Sequence, residues 1–208
     1  MAFWDPQMPP VGERVPRTHG ALAAALGRFM VGVRGWRFEG GVPNEPKMVL
    51  IVAPHTSNWD FPTGLWAKFA LRLKAGFLGK HTLFWWPFGV FLRSIGGIAI
   101  DRSKAAGIAE DSTRAFLEND QLLLVVAPEG TRSRSEKWKS GFYRIAVAAG
   151  VPILIIAFDY RRKVIRLGPL FRPTGDYEKD LPEIQSHYHV GMALRTENVS
   201  PGPAASPR

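Results

Sequence analysis

Apolar residues recur along this chain at two different spacings, and the switch between them marks out its elements. Across 18–33, Leu22, Ala25, Leu26, Phe29, Met30 and Val33 fall at helical spacing, with Arg28 and Arg34 on other faces. Gly40-Gly41 and Asn44-Glu45-Pro46 then mark turns before an unbroken apolar run over 48–53, read as a buried strand. A helix follows from near Trp59 to Lys74, a short strand over 75–78, and another over 97–100 after Gly96. Residues 104–119 read as a polar helix. Residues 121–127 hold Leu122, Leu123, Leu124, Val125 and Val126 in succession, which indicates a strand covered on both faces. A helix over 138–149 ends at Gly150, a strand occupies 153–158, a hairpin returns through 164–167, and a last helix or pair of turns lies within 177–189.

Strands alternating with helices predict an α/β fold in a single domain, with a largely parallel or mixed central sheet covered by helices. That domain is expected over 18–195. Residues 1–17 read as an irregular arm and 196–208, with Pro201, Pro203 and Pro207, as a disordered tail. At 208 residues and 46% apolar, one domain can bury a sizeable core.

Composition narrows the partners. A formal charge of +9 points to something anionic: nucleic acid, lipid headgroups or a phosphorylated substrate. No zinc-finger, RNP or phosphate-loop pattern supports nucleic acid, so no nucleic-acid partner is expected. There is no cysteine for a disulfide or thiolate site, and His187 and His189 have no matching ligand pattern, so no metal is expected. The first residues carry acids and prolines rather than a basic start with an apolar core, which predicts a cytoplasmic protein. No apolar run reaches the roughly 18 residues needed to cross a bilayer. Membrane contact, on the inner face, is therefore expected to be peripheral. The 18–33 helix facing either its own domain or lipid, and the aromatic run Phe84-Trp85-Trp86-Pro87-Phe88, filling core or forming an apolar surface, both bear on that contact.

The chemistry gathers at strand ends. His55-Thr56-Ser57-Asn58-Trp59-Asp60 follows the 48–53 strand. On a continuous helix, residues five apart would be splayed by roughly 140°, so Asp60 can reach the ring only if the chain bends. A carboxylate can then hold one imidazole nitrogen while the other takes a proton. These six residues fit equally well a capping histidine and a first-turn acid. Lys80 and Arg102 end the next two strands, and Pro128-Glu129-Gly130-Thr131-Arg132 ends the 121–127 strand, its arginine offering a planar fork suited to phosphate.

In order and approximate spacing, the His-x4-Asp corner, the Gly97 to Arg102 segment, Glu-Gly-Thr-Arg and Val151-Pro152-Ile153 resemble the glycerolipid acyltransferase family, which includes lysophosphatidic acid and glycerol-3-phosphate acyltransferases. The resemblance covers residues 48–158. It implies that family's fold and transfer of a fatty acyl group from acyl-CoA or acyl-carrier protein to a hydroxyl of lysophosphatidic acid or a related glycerophospholipid. His55 would be the general base and Asp60 its orienting partner. Lys80, Arg102 and Arg132 would bind the acceptor phosphate, Glu129, Gly130 and Thr131 would shape the acceptor site, and Val151, Pro152 and Ile153 would form part of the acyl-binding wall. No cofactor is implied beyond the thioester co-substrate. A non-phosphate acceptor such as an amino-acid lipid is the neighbouring alternative.

Overall fold

The computed structural model describes residues 6–18, 20–101 and 105–202, excepting the side chains of 105 and 106. Three strands, β2 (Lys47–Ala53), β5 (Leu122–Val126) and β6 (Ile153–Asp159), form the middle of one sheet. β3 (Ala75–Lys80) and β4 (Gly97–Ile100) extend it on one side, β7 (Val164–Phe171) and β1 (Arg37–Gly40) on the other. The spatial order is β1-β7-β6-β2-β5-β3-β4, and every neighbouring pair is parallel except β6 with β7. This is the mixed α/β sheet that the alternation of elements predicts.

Both faces of the sheet are covered, which accounts for the continuous apolar runs. Even-numbered residues of β2 and β6 (Met48, Leu50, Leu154, Ile156, Phe158) pack with α1 (Ala21–Val33) and α2 (Asp60–Ala70). Odd-numbered ones (Val49, Ile51, Ile153, Ile155) face α4 (Ala105–Glu118), α5 (Gly141–Ala149) and α6 (Tyr177–Ser186). The short α3 (Phe88–Ser94) joins Leu65 and Phe84 in a smaller cluster through Leu92. The 18–33 periodicity has two outcomes at once. Ala24, Gly27 and Val31 turn inward, whereas Leu22, Leu26, Phe29 and Val33 are exposed. Gly27 lets α1 and α2 touch closely: a Cβ there would lie 2.5 Å from the Ala70 nitrogen and 2.7 Å from the Trp66 carbonyl oxygen.

The β6–β7 hairpin has arginines at its tip, which is unusual turn chemistry. Asp159 Oδ1 accepts the Arg162 N–H at 2.9 Å, and Lys163 adopts φ of 55°, so an aspartate-capped turn replaces the usual glycine.

Three regions carry structure that periodicity and composition do not predict. β1 occupies four residues just where the two glycines suggested only a turn. It is a short edge strand, with too little alternation to be read. The described part of the arm is irregular, as expected, and it adds Val15 to the core, the chain around it pairing through Gly12 with Val42 and through Pro16 with Lys74. Within the tail, residues 196–198 form a 3-10 turn, and Val199 and Ser200 are buried. Proline-rich composition signals a lack of apolar content, but it carries no information about hydrogen bonds made to distant loops.

Candidate active site

Strand β2 delivers the chain to Pro54, and the next six residues wrap around a single carboxylate. Asp60, the first residue of α2, has a side chain only 1% exposed. Its Oδ2 accepts the backbone N–H groups of Thr56 at 2.9 Å and Ser57 at 2.8 Å, and the same oxygen lies 3.1 Å from Nδ1 of His55. The bend required by a five-residue separation is thus made by the loop folding onto the acid it contains. Nδ1 is occupied, so Nε2 is the nitrogen left to exchange a proton. The ring lines a large cavity among the described residues.

The other carboxylate oxygen of Asp60 is taken by Tyr160, whose hydroxyl donates to Oδ1 at 2.7 Å. Burial, and then the Asp60 charge, push the Tyr160 phenol well above its ordinary range, which keeps it a donor. Sequence reading missed this residue. Tyr160 immediately follows β6, the neighbour of β2, so the strand-end rule that picked out Lys80 could have found it.

Glu129 ends up in a different place from the one its motif suggested. It is 1% exposed, does not line the cavity, and accepts the backbone N–H of His55 on Oε2 at 2.8 Å. Its Oε1 is buried and has no hydrogen-bond partner among the described residues. Burial pushes its carboxyl up to about 7, a rise opposed by the His55 N–H and aided by the Asp60 charge. Instead of forming an acceptor-site wall, Glu129 fixes the backbone of His55 from below.

Gly130, Thr131 and Arg132 do line the cavity, as does Lys80 at the carboxyl end of β3. Gly130 has φ of 68°, and a Cβ there would lie 2.9 Å from Cδ and 3.2 Å from Nζ of Lys139. The glycine therefore gives Lys139 its path across the loop, and Lys139 adds a further cation to the lining. Among the described residues, Lys80, Arg132 and Lys139 have no ion-pair partner. Arg102 lies outside the described residues.

Val151, Pro152 and Ile153 are not part of the cavity. Val151 and Ile153 belong to the core on the α5 face, and Ile153 pairs with Val49 near the start of β2, at the amino ends of the strands. His55 lies beyond the carboxyl end of β2, roughly 20 Å away at about 3.3 Å per residue. The motif leads into β6 and lines no part of this cavity. The apolar wall is built instead by Leu50, Val52, Leu71, Leu73, Phe77 and Phe158, running under α2. The whole cavity measures about 1500 Å³, above the ~300–1,000 Å³ usual for small-molecule sites. Lys68 also lines it, its Nζ donating to the Ile95 carbonyl, and burial lowers its ammonium to about 8.

A family model described as Acyltransferase matches residues 38–159. The chain belongs to the acyltransferase family. The matched span contains both strand-end loops, and in this acyltransferase it runs from β1 to the end of β6. The chain is similar to 1-acyl-sn-glycerol-3-phosphate acyltransferase of Haemophilus influenzae, 28% identical over 162 residues, covering 73% of this chain and 65% of that protein. The Escherichia coli protein of the same name is 31% identical over 128 residues, covering 58% of this chain and 51% of its own length. The chain therefore spans between half and two thirds of these relatives. Among solved structures, the 1-acyl-sn-glycerophosphate (LPA) acyltransferase PlsC of Thermotoga maritima shares the fold, with a TM-score of 0.50 and 19% identity over 74% of this chain and 69% of that one.

Proposed function

We propose that this acyltransferase moves a fatty acyl group from acyl-CoA or acyl-carrier protein to the free hydroxyl of lysophosphatidic acid or a related glycerophospholipid, in phospholipid biosynthesis or remodelling. The observation that carries the reading is the His55–Asp60 pair, 3.1 Å apart, at a cavity that is apolar under α2 and cationic at Lys80, Arg132 and Lys139. An acyl chain and a phosphate head need just those two linings. The relatives' names point to the same acceptor.

Nε2 of His55 takes the proton of the acceptor hydroxyl as its oxygen attacks the thioester carbonyl. An ester C–O bond forms, the C–S bond breaks, and the imidazolium returns the proton to the departing thiolate. Asp60 holds Nδ1–H and stabilises the imidazolium. General-base assistance of this kind contributes about 10² to 10⁴ in rate. The thioester is already activated, so no covalent enzyme intermediate is required.

Peripheral contact with an anionic membrane face, on the cytoplasmic side, accompanies this reading. No helix among the described residues is long and apolar enough to cross a membrane. Two apolar surfaces are nevertheless open: Leu22, Leu26 and Val33 on α1, and Trp85 (61% exposed), Trp86 (81%), Phe88 and Phe91 around α3. Phe88 also lines the cavity, so the second surface adjoins a route for a lipid substrate.

The test supplies purified protein with acyl-CoA or acyl-carrier protein and lysophosphatidic acid, and follows thiol release. His55→Ala is expected to lower the rate at least about 10²-fold. Release as fast as the parent's would remove His55 as the base.

A further inference from the structure

Residues 195–200 lie outside the span shared with the family, 38–159, yet they are bonded to both loops of the candidate site. The backbone N–H of Arg195 reaches Oγ1 of Thr56 at 3.4 Å, and Nδ2 of Asn198 donates to the Thr56 carbonyl at 3.3 Å. Two residues on, Oγ of Ser200 accepts the Ser135 N–H at 3.2 Å, and the two hydroxyls are 2.9 Å apart. Ser200 is 1% exposed, and Val199 is buried beside it.

The two loops reached are the ones that carry the chemistry. Thr56 sits between His55 and Asp60, and its own N–H is bonded to the Asp60 carboxylate. Ser135 follows Arg132 by three residues on the loop that begins with Glu129. Thr56 is itself buried, and a buried carbonyl is costly to leave without a donor. The 3-10 turn over 196–198 brings the Asn198 amide to that carbonyl.

We infer that residues 195–200 are a strap that fixes the base-bearing loop against the anion-binding loop, with Asn198 and Ser200 as positioning residues. The kinetic part of this inference rests on the acyl-transfer reading above; the mechanical part does not. Asn198 acts on the loop of His55, and Ser200 on the loop of Arg132. The two ends should therefore govern different constants: small displacements of a base are felt in turnover, and displacement of a binding group in acceptor affinity.

Backbone amide hydrogen exchange of the intact chain is the deciding measurement, because it needs no substrate. Asn198→Ala is expected to speed exchange at Thr56 and Ser57 about tenfold, and Ser200→Ala to do the same around Ser135, in each case beyond the uniform rise that a thermal midpoint lowered by a few degrees brings. Asn198→Asp, which keeps the size but loses the donor, should match Asn198→Ala. In acyl transfer, Asn198→Ala should lower kcat about tenfold with acceptor KM within twofold, and Ser200→Ala the reverse. Exchange unchanged in both loops, or speeded uniformly over the molecule with a lowered midpoint, would overturn the strap. Loop-specific exchange with kcat and KM unmoved would overturn its role in positioning. An inactive parent counts against the proposed function alone and leaves exchange to decide the strap.

Discussion

The Tyr160 hydroxyl and the Asp60 carboxylate meet at 2.7 Å, on the one oxygen of that acid that neither His55 nor the loop amides use. Asp60 is thereby held from two strands, its own loop after β2 and Tyr160 after β6. Removing the hydroxyl in Tyr160→Phe leaves Oδ1 buried and without its donor. The expected loss is about 1–3 kcal/mol of folding stability. A fall in kcat larger than the fall in folded fraction should accompany it, measured by denaturant unfolding and initial rates side by side.

Glu129 sets a pH dependence of stability. Its folded carboxyl sits at about 7 against an ordinary 4.5, so between those values the folded state holds a proton that the unfolded chain releases. Stability should then fall as pH rises from about 4.5 to 7, by up to about 3 kcal/mol, and stay level above that window. Glu129→Gln keeps an acceptor for the His55 N–H and abolishes the titration. Unfolding curves between pH 5 and 8 should show the slope in the parent and its loss in the variant.

Gly130→Ala places a methyl group where Lys139 passes, at φ of 68°. The backbone conformation costs about 1–2 kcal/mol for a residue with a Cβ. The lysine, being flexible at that end, is displaced rather than crushed. Acceptor KM should rise several-fold, and Lys139→Ala alone should reproduce that rise without the loss of stability.

Trp85 and Trp86 are open to solvent, so replacing both with alanine should leave unfolding within about 0.5 kcal/mol of the parent. Sedimentation with vesicles of anionic phospholipid should weaken markedly in the double variant. Unchanged partitioning would place the membrane contact elsewhere.

What could be read from the sequence was local: strands whose two covered faces leave unbroken apolar runs, and polar residues set where those strands stop. His55 and Asp60 were legible because a bend is the only way for them to meet, and the structure supplies the bend. Glu129 was misread because a motif names residues without saying which way they point, and its side chain turns under His55 instead of into the cavity. Val151, Pro152 and Ile153 were misplaced for a related reason: an apolar triplet at the start of a strand looks the same whether it lines a ligand or fills a core. Tyr160, Asn198 and Ser200 bond to partners 100, 142 and 65 residues away, separations that no local pattern encodes.

The contact at Gly27 ties the outer surface of the molecule to its chemistry by a short mechanical path. α2 starts at Asp60, and α1 rests directly against the far half of that helix, at Trp66 and Ala70. The same α1 carries the exposed apolar residues Leu22, Leu26 and Val33 on its other side. Those residues and the dyad's carboxylate are thus separated by one helix–helix contact and the length of α2, with no strand between.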